Sequence, residues 1–177
     1  MRATLPILSM AVALALASCA TRPASVDNSS GTLVLERDFL GRSYATGAFR
    51  NSITGFRRDF KVTLDGANKS GVFVLSERFA YADGEKGVKT WRFESLGHGR
   101  YRGTREDVVG FAEVVQDGNA IRLSYDVDLP GENGPTRVHF EDILVRTADG
   151  TVMNNAVVSK FGVPVGVVDL QFSRNPS

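Results

Sequence analysis

The sequence is poor in the residues that build most small catalytic and metal sites. It has one cysteine, so it can form neither a disulfide framework nor a multi-cysteine metal site. Two histidines leave little imidazole for metal binding or acid–base work. Neither sign of charge is in excess: 21 Lys and Arg stand against 20 Asp and Glu, so nothing draws the chain to nucleic acid. Catalytic signatures are lacking too. There is no Gly-x-Ser-x-Gly elbow, no His-Glu-x-x-His and no phosphate-cradling Gly-x-x-x-x-Gly-Lys-Ser/Thr. Gly97, Gly99 and Gly103 are misspaced for a dinucleotide fingerprint. The sequence names no catalytic residue, no metal and no cofactor, and the expectation drawn from it is that the chain is not an enzyme.

No apolar run is long enough to cross a bilayer. The run Ile7–Ala17 would make about 17 Å of helix against a ~30 Å hydrocarbon core. Arg2 precedes it and small residues follow, the arrangement of a secretory signal peptide. Leu16-Ala17-Ser18-Cys19 resembles the bacterial lipobox, a Leu and two small residues before a Cys. That resemblance implies cleavage before Cys19 and acylation of it, which would anchor the protein to a membrane. Residues 1–18 are then the signal, 19–31 the lipidated cysteine and a small polar tether, and 32–177 one domain. Ala20 follows the cysteine where Asp would signal retention. By resemblance to enterobacterial sorting, this points to an outer-membrane lipoprotein facing the periplasm.

What fills the domain is β pattern. Short alternating segments rich in Val, Phe, Leu, Tyr and Thr are punctuated by Asp65-Gly66, Asp83-Gly84, Asp117-Gly118 and Asp149-Gly150. Strands are expected near 32–37, 44–50, 56–64, 71–81, 88–96, 100–105, 107–116, 120–129, 136–146, 152–161 and 164–173. Ala120–Leu129 is the clearest: Ile121, Leu123, Tyr125, Val127 and Leu129 alternate with Arg122, Ser124, Asp126 and Asp128. Nine to eleven antiparallel strands joined by hairpins predict an all-β meander that closes into a barrel, because closure removes the edges. Charge on the outward faces excludes a membrane-spanning barrel.

Several polar residues fall on apolar faces. Arg58 alternates with Phe56, Phe60 and Val62, and Glu77 with Leu75 and Phe79. If the turn Asp65–Ser70 pairs Leu64 with Gly71, Arg58 lies opposite Glu77. If Ala82–Gly87 pairs Tyr81 with Val88, Glu77 lies opposite Arg92. Arg58, Glu77 and Arg92 then form one row, which Glu94 and Arg102 extend. Inside a barrel such a row would orient an acidic head group; the alternative is an Arg–Glu–Arg network that satisfies itself. Trp91 and Phe93 fall on the other face, as ordinary packing. His98 is expected in a turn and His139 on a strand surface. Glu106-Asp107 and Asp126-x-Asp128 read as solvated carboxylates, and Asn154 and Lys160 as polar positions on a face with Ala156 and Val158.

Trp91, Gly99-x-Tyr101-x-Gly103, Asp107-Val108-Val109-Gly110, Gly118-Asn119-Ala120, Tyr125, Leu129-Pro130, Asp149-Gly150, Asn154, Ser159-Lys160-Phe161-Gly162 and Gly166-x-Val168 together carry a resemblance. From Thr32 to Phe172 the chain resembles a bacterial lipoprotein family known as a domain of unknown function. The resemblance implies a lipocalin-like fold. Members are often encoded near enzymes that modify membrane fatty acids, which points to a lipid. The expectation is a lipid-anchored envelope protein that binds an acyl chain or other apolar ligand, a fatty acid or a phospholipid. Its cavity would be lined by Phe60, Leu75, Phe79 and Tyr125, with Arg58, Glu77, Arg92, Arg102 and Tyr125 as candidate ligand contacts. The alternative is a ligand-free assembly lipoprotein that contacts an envelope protein.

Overall fold

The structure is a computed structural model that describes residues 31–131 and 134–176. The signal segment, Cys19 and nearly all of the tether lie outside the described residues. One short helix, α1 (Leu35–Asp38), precedes ten strands. These are β1 (Gly41–Asn51), β2 (Arg57–Lys69), β3 (Val72–Tyr81), β4 (Lys86–Gly97), β5 (Arg100–Thr104), β6 (Ala112–Asp117), β7 (Ala120–Leu129), β8 (Thr136–Arg146), β9 (Val152–Lys160) and β10 (Val163–Ser173).

Each strand pairs antiparallel with the next, and β10 returns to β1 to close the barrel. The alternation that marks β7 in sequence is the alternation of its burial: Ile121, Leu123, Tyr125 and Val127 are inside. Three hairpins, Ser70-Gly71, His98-Gly99 and Phe161-Gly162, hold both loop residues at positive φ. That is the geometry whose twist matches antiparallel strands. Among the described residues the main core runs from Leu33 to Phe172.

The two ends of the barrel differ. At one end the β2–β3, β4–β5, β6–β7 and β8–β9 turns gather around α1. Leu33 N–H donates to the Gly118 carbonyl at 3.0 Å and Leu35 N–H to Gln116 Oε1 at 3.0 Å. These bonds hold Leu33, Leu35 and Phe39 in the core, with the Phe39 ring edge-on to Phe172 at 5.3 Å. Gly66 makes room for this plug: a Cβ there would lie 1.9 Å from the Phe39 carbonyl oxygen. The other end, where the β1–β2, β3–β4, β5–β6, β7–β8 and β9–β10 connections meet, has no such plug among the described residues.

Four local expectations change. Residues 32–37 form no strand; they lead into and form most of α1. Residues 105–111 connect β5 to β6 rather than beginning a strand. Asp65-Gly66 is no turn, because β2 runs on to Lys69 and turns at Ser70-Gly71. The β2–β3 register therefore slides by six residues, and Glu77 faces Leu64 instead of Arg58. The β3–β4 turn is tighter than expected, with Ala80 paired to Lys86. The resulting three-residue shift is odd, so it exchanges the faces of β4. Trp91 and Phe93 point into the barrel and Arg92 points out.

Candidate functional site

The barrel encloses a cavity of about 620 Å³ that reaches from the open end down to Leu35 and Phe39. That volume lies in the range of small-molecule sites. One wall is apolar: Phe49 from β1, Phe60 and Leu64 from β2, and Val168, Leu170 and Phe172 from β10. Phe60, Leu75, Phe79 and Tyr125 all line it. A hollow of about 630 Å³ outside the barrel, between the outer faces of β1, β2 and β10, is shallower and more open to solvent.

The opposite wall carries a polar cluster that the sequence did not assemble. Its centre is Arg105, whose side chain is 9% exposed. The segment 105–111 folds against β7, with Val109 N–H donating to the Asp126 carbonyl at 2.9 Å and Asp128 N–H to the Asp107 carbonyl at 3.2 Å. This turns Arg105 inward. Its guanidinium lies 4.5 Å from the centre of the Trp91 ring and 5.5 Å from that of Tyr125. Arg105 Nε donates to Asp107 Oδ1 at 2.6 Å, and Lys89 donates to the same carboxylate. Glu77, 15% exposed, stands 4.0 Å from Arg105, at the limit of an ion pair.

Tyr125, Asp142 and Asn154 continue the cluster across β7, β8 and β9. Tyr125 stacks on Phe140 with ring centres 5.2 Å apart. Asn154 Nδ2 donates to Asp142 Oδ1 at 2.8 Å, while Asp142 Oδ2 and Asn154 Oδ1 are buried without a hydrogen-bond partner. Buried polar atoms left this way are costly, and inside a cavity they mark where a bound group can supply the missing bonds.

Titration in the cluster follows from burial. Desolvation pushes the Glu77 carboxyl up to about 7, against the pull of Arg105 and Lys89. Asp142 is raised by the same cause, and Tyr125 lies well above its ordinary value through burial and then the neighbouring Asp142. Burial also opposes the charge on Asp107, but Arg105 and Lys89 outweigh it and hold that carboxylate low. The wall thus has a fixed cation in Arg105 and a carboxyl, Glu77, that exchanges its proton near neutrality.

The candidate ligand contacts separate. Glu77 and Tyr125 belong to this wall. Arg58 sits beside the cavity near the open end, over the Tyr81 ring at 3.8 Å and paired with Asp83 and Glu85. Arg92 and Arg102 are corrected: both are exposed on the outer face, and Arg102 stacks on Phe111 at 4.9 Å. Asp107 is likewise no solvated carboxylate. What sequence reasoning missed is Arg105. Its only signal is position: two residues after inward Gly103, it keeps the inward parity of β5.

Outside the barrel a second group of side chains gathers on β7 and β8. His139 Nδ1 is 2.8 Å from Asp126 Oδ1, and Ser124 Oγ is 3.3 Å from His139 Nε2. Ser124 nonetheless donates to Glu141 at 2.8 Å, and Glu141 also meets Nε2 at 2.9 Å. Glu141 thus competes at both atoms a nucleophile–base pair would use, on a solvent-facing strand surface. Among the described residues no group of three or more His, Cys, Asp or Glu side chains could hold a metal ion.

A family model described as "Protein of unknown function (DUF3833)" matches residues 13–174. The chain belongs to this family. No curated protein matches this DUF3833 member. Among solved structures, the S-type phycobiliprotein lyase CPES from Guillardia theta is similar at a TM-score of 0.58. The likeness spans 78% of this chain and 89% of that one at 12% identity, which shows a common fold. It also corrects the expectation that the DUF3833 chain is not an enzyme. A barrel of this shape carries the name lyase, so the lack of a familiar nucleophile motif is no ground for excluding catalysis.

Proposed function

We propose that the protein is a lipid-anchored bacterial envelope protein whose barrel binds an amphipathic ligand with an acyl chain. The chain lies along Phe49, Phe60, Val168 and Leu170, and the acidic head meets Arg105. The observation that carries this reading is one enclosed cavity with an apolar wall facing a buried, partly unsatisfied polar cluster. Each buried methylene of such a ligand contributes about 0.8 kcal/mol, and the polar groups set its orientation. Glu77 shares Arg105, so a protonated Glu77 leaves the guanidinium freer for the ligand and ligand affinity rises as pH falls through about 7.

The anchor rests on Leu16-Ala17-Ser18-Cys19 and the outer-membrane address on Ala20. Radiolabelled palmitate incorporated by the full chain and lost in Cys19→Ser would support the anchor; equal labelling of both would sink it. The ligand is tested by native mass spectrometry of residues 20–177 made in the bacterial periplasm. A discrete added mass that extracts as a fatty acid or phospholipid supports the reading. A bare protein that stays bare after incubation with envelope lipids overturns it and favours an assembly role with an envelope protein.

A second reading has its own observation. Glu77 titrates near neutrality in a mainly apolar cavity beside Arg105, the setting of a general acid or base. Conversion of the bound ligand that disappears in Glu77→Gln while binding persists would establish turnover.

A further inference from the structure

The open end of the barrel is itself apolar. Among the described residues ten large apolar side chains are exposed, and six of them sit on its connections or at the strand ends beside them: Ile53, Phe56, Phe111, Leu129, Phe161 and Val163. Phe161 is the most exposed of all at 94%. The β1–β2 and β9–β10 connections stand side by side, since Ser52 N–H donates to the Val165 carbonyl at 2.9 Å. Ile53 and Leu129 also line the cavity, so this rim and the interior form one continuous apolar surface.

Phe161 is held in an unfavourable conformation. The same two-residue turn is built at the closed end with Ser70-Gly71 and His98-Gly99. At the open end the first residue is Phe161, at φ 52°. A bulky side chain in the left-handed region is rare, and its ring here is turned to solvent, so local stability does not explain it. Two rim arginines are matched by carboxylates, and the Lys160 ammonium lies 5.7 Å from the centre of the Phe161 ring. Arg58 is paired with Asp83 and Glu85, and Arg57 donates to Asp59. What the described part of the rim offers a partner is therefore apolar surface whose arginines are already paired.

We infer that the open end docks on a zwitterionic lipid surface, with Phe56, Phe161, Ile53 and Val163 dipping into the interface so that the cavity opens into the bilayer. Exposed apolar tips beside internally paired charges suit such a surface, where binding scales with buried apolar area. A protein partner would leave the continuity between rim and cavity without a role. The described chain begins at Gly31, at the closed end, and eleven residues separate it from Cys19, a length of at most about 40 Å when extended. That length lets a barrel anchored at Cys19 tip its open end onto a membrane. This inference deepens the lipid-binding reading and rests on it for the nature of the cargo.

The test is co-flotation of residues 20–177 with phosphatidylcholine vesicles. The expected result is flotation that persists in high salt and falls at least tenfold in the double variant Phe56→Ser, Phe161→Asn. Asn accepts the left-handed turn conformation, so that variant keeps its fold, which thermal melting checks. Absence of flotation, equal flotation of the variant, or flotation that needs anionic lipid and vanishes with salt would each overturn the inference. Concentration-dependent self-association lost in the same variant, without flotation, would assign the rim to a second copy instead. Native mass spectrometry of the same samples separates the two readings. A ligand-loaded barrel that does not float sinks the docking rim alone. A floating barrel that carries no lipid and takes none from the vesicles sinks the lipid-binding reading and leaves the docking rim standing.

Discussion

The closed and open ends of the barrel put similar apolar residues to opposite uses. At the closed end Leu33, Leu35 and Phe39 are buried over Gly66, and the hairpin turns use small or polar residues, Ser70 and His98. At the open end Ile53, Phe56 and Phe161 face solvent, and a phenylalanine occupies a turn position that disfavours it. One end is built as a core is built, where each apolar side chain removed from water adds stability. The other carries apolar surface and backbone strain that stability alone would have removed. An end that is stable in isolation and an end that is not are what a one-mouthed container requires.

The largest effect that would sharpen this contrast lies in the plug. Phe39→Ala removes a buried ring and should cost about 3–5 kcal/mol in denaturant unfolding. A loss under about 1 kcal/mol would mean that α1 is not part of the core. Next comes the polar wall between the two ends. Arg105→Ala leaves Asp107 and Glu77 facing the cavity with less positive charge and should cost roughly 2–3 kcal/mol at pH 8. Adding Glu77→Gln should recover part of that loss; strict additivity in the cycle would show that the two side chains do not interact.

The pH dependence is of similar size. Glu77 titrates near 7 in the fold and near 4.5 in an unfolded chain, so the fold binds its proton more tightly. Its contribution is fully present below pH 4.5 and is lost as pH rises through about 7. Stability should fall across that window by up to about 3 kcal/mol, and Glu77→Gln should flatten the curve. His139 acts in the same direction at higher pH. Burial lowers its pKa, but the hydrogen bonds its ring donates to Glu141 and Asp126 outweigh this and raise it. Its contribution is full below about pH 6.5 and is lost above that, and a His139→Gln melt series separates it from Glu77. The smallest effect has the opposite sign. Phe161→Asn relieves the strained turn and should raise stability by about 1 kcal/mol. A destabilised Phe161→Asn would mean that the ring packs on the barrel, and the contrast between the ends would fail.

Much of the candidate site was within reach of the sequence, and the parts that were not share a cause. Glu77 and Tyr125 could be placed on inward faces because parity along a strand is local. Arg92 was misplaced by a three-residue error in one turn, since an odd slip exchanges every side chain of the strand. The expected pairing of Arg58 with Glu77 failed because Gly66 looks like a turn residue. Its role is to admit the Phe39 backbone, which approaches from far along the chain. Arg105 was overlooked because it lies past the end of β5, in a connection whose hydrogen bonds are to β7.

By itself the sequence determined that this chain forms antiparallel β-strands joined as a meander, and which side chains of β7 point inward. Both follow from a two-residue period and from Gly-containing hairpins, which act within a few residues. Only the tertiary structure decided which end is plugged, that Trp91 rather than Arg92 faces the cavity, and that Arg105 meets Glu77 inside it. Those outcomes depend on register, and register is set by contacts between residues distant in sequence, where Phe39 covers Gly66 and residues 105–111 pair with β7.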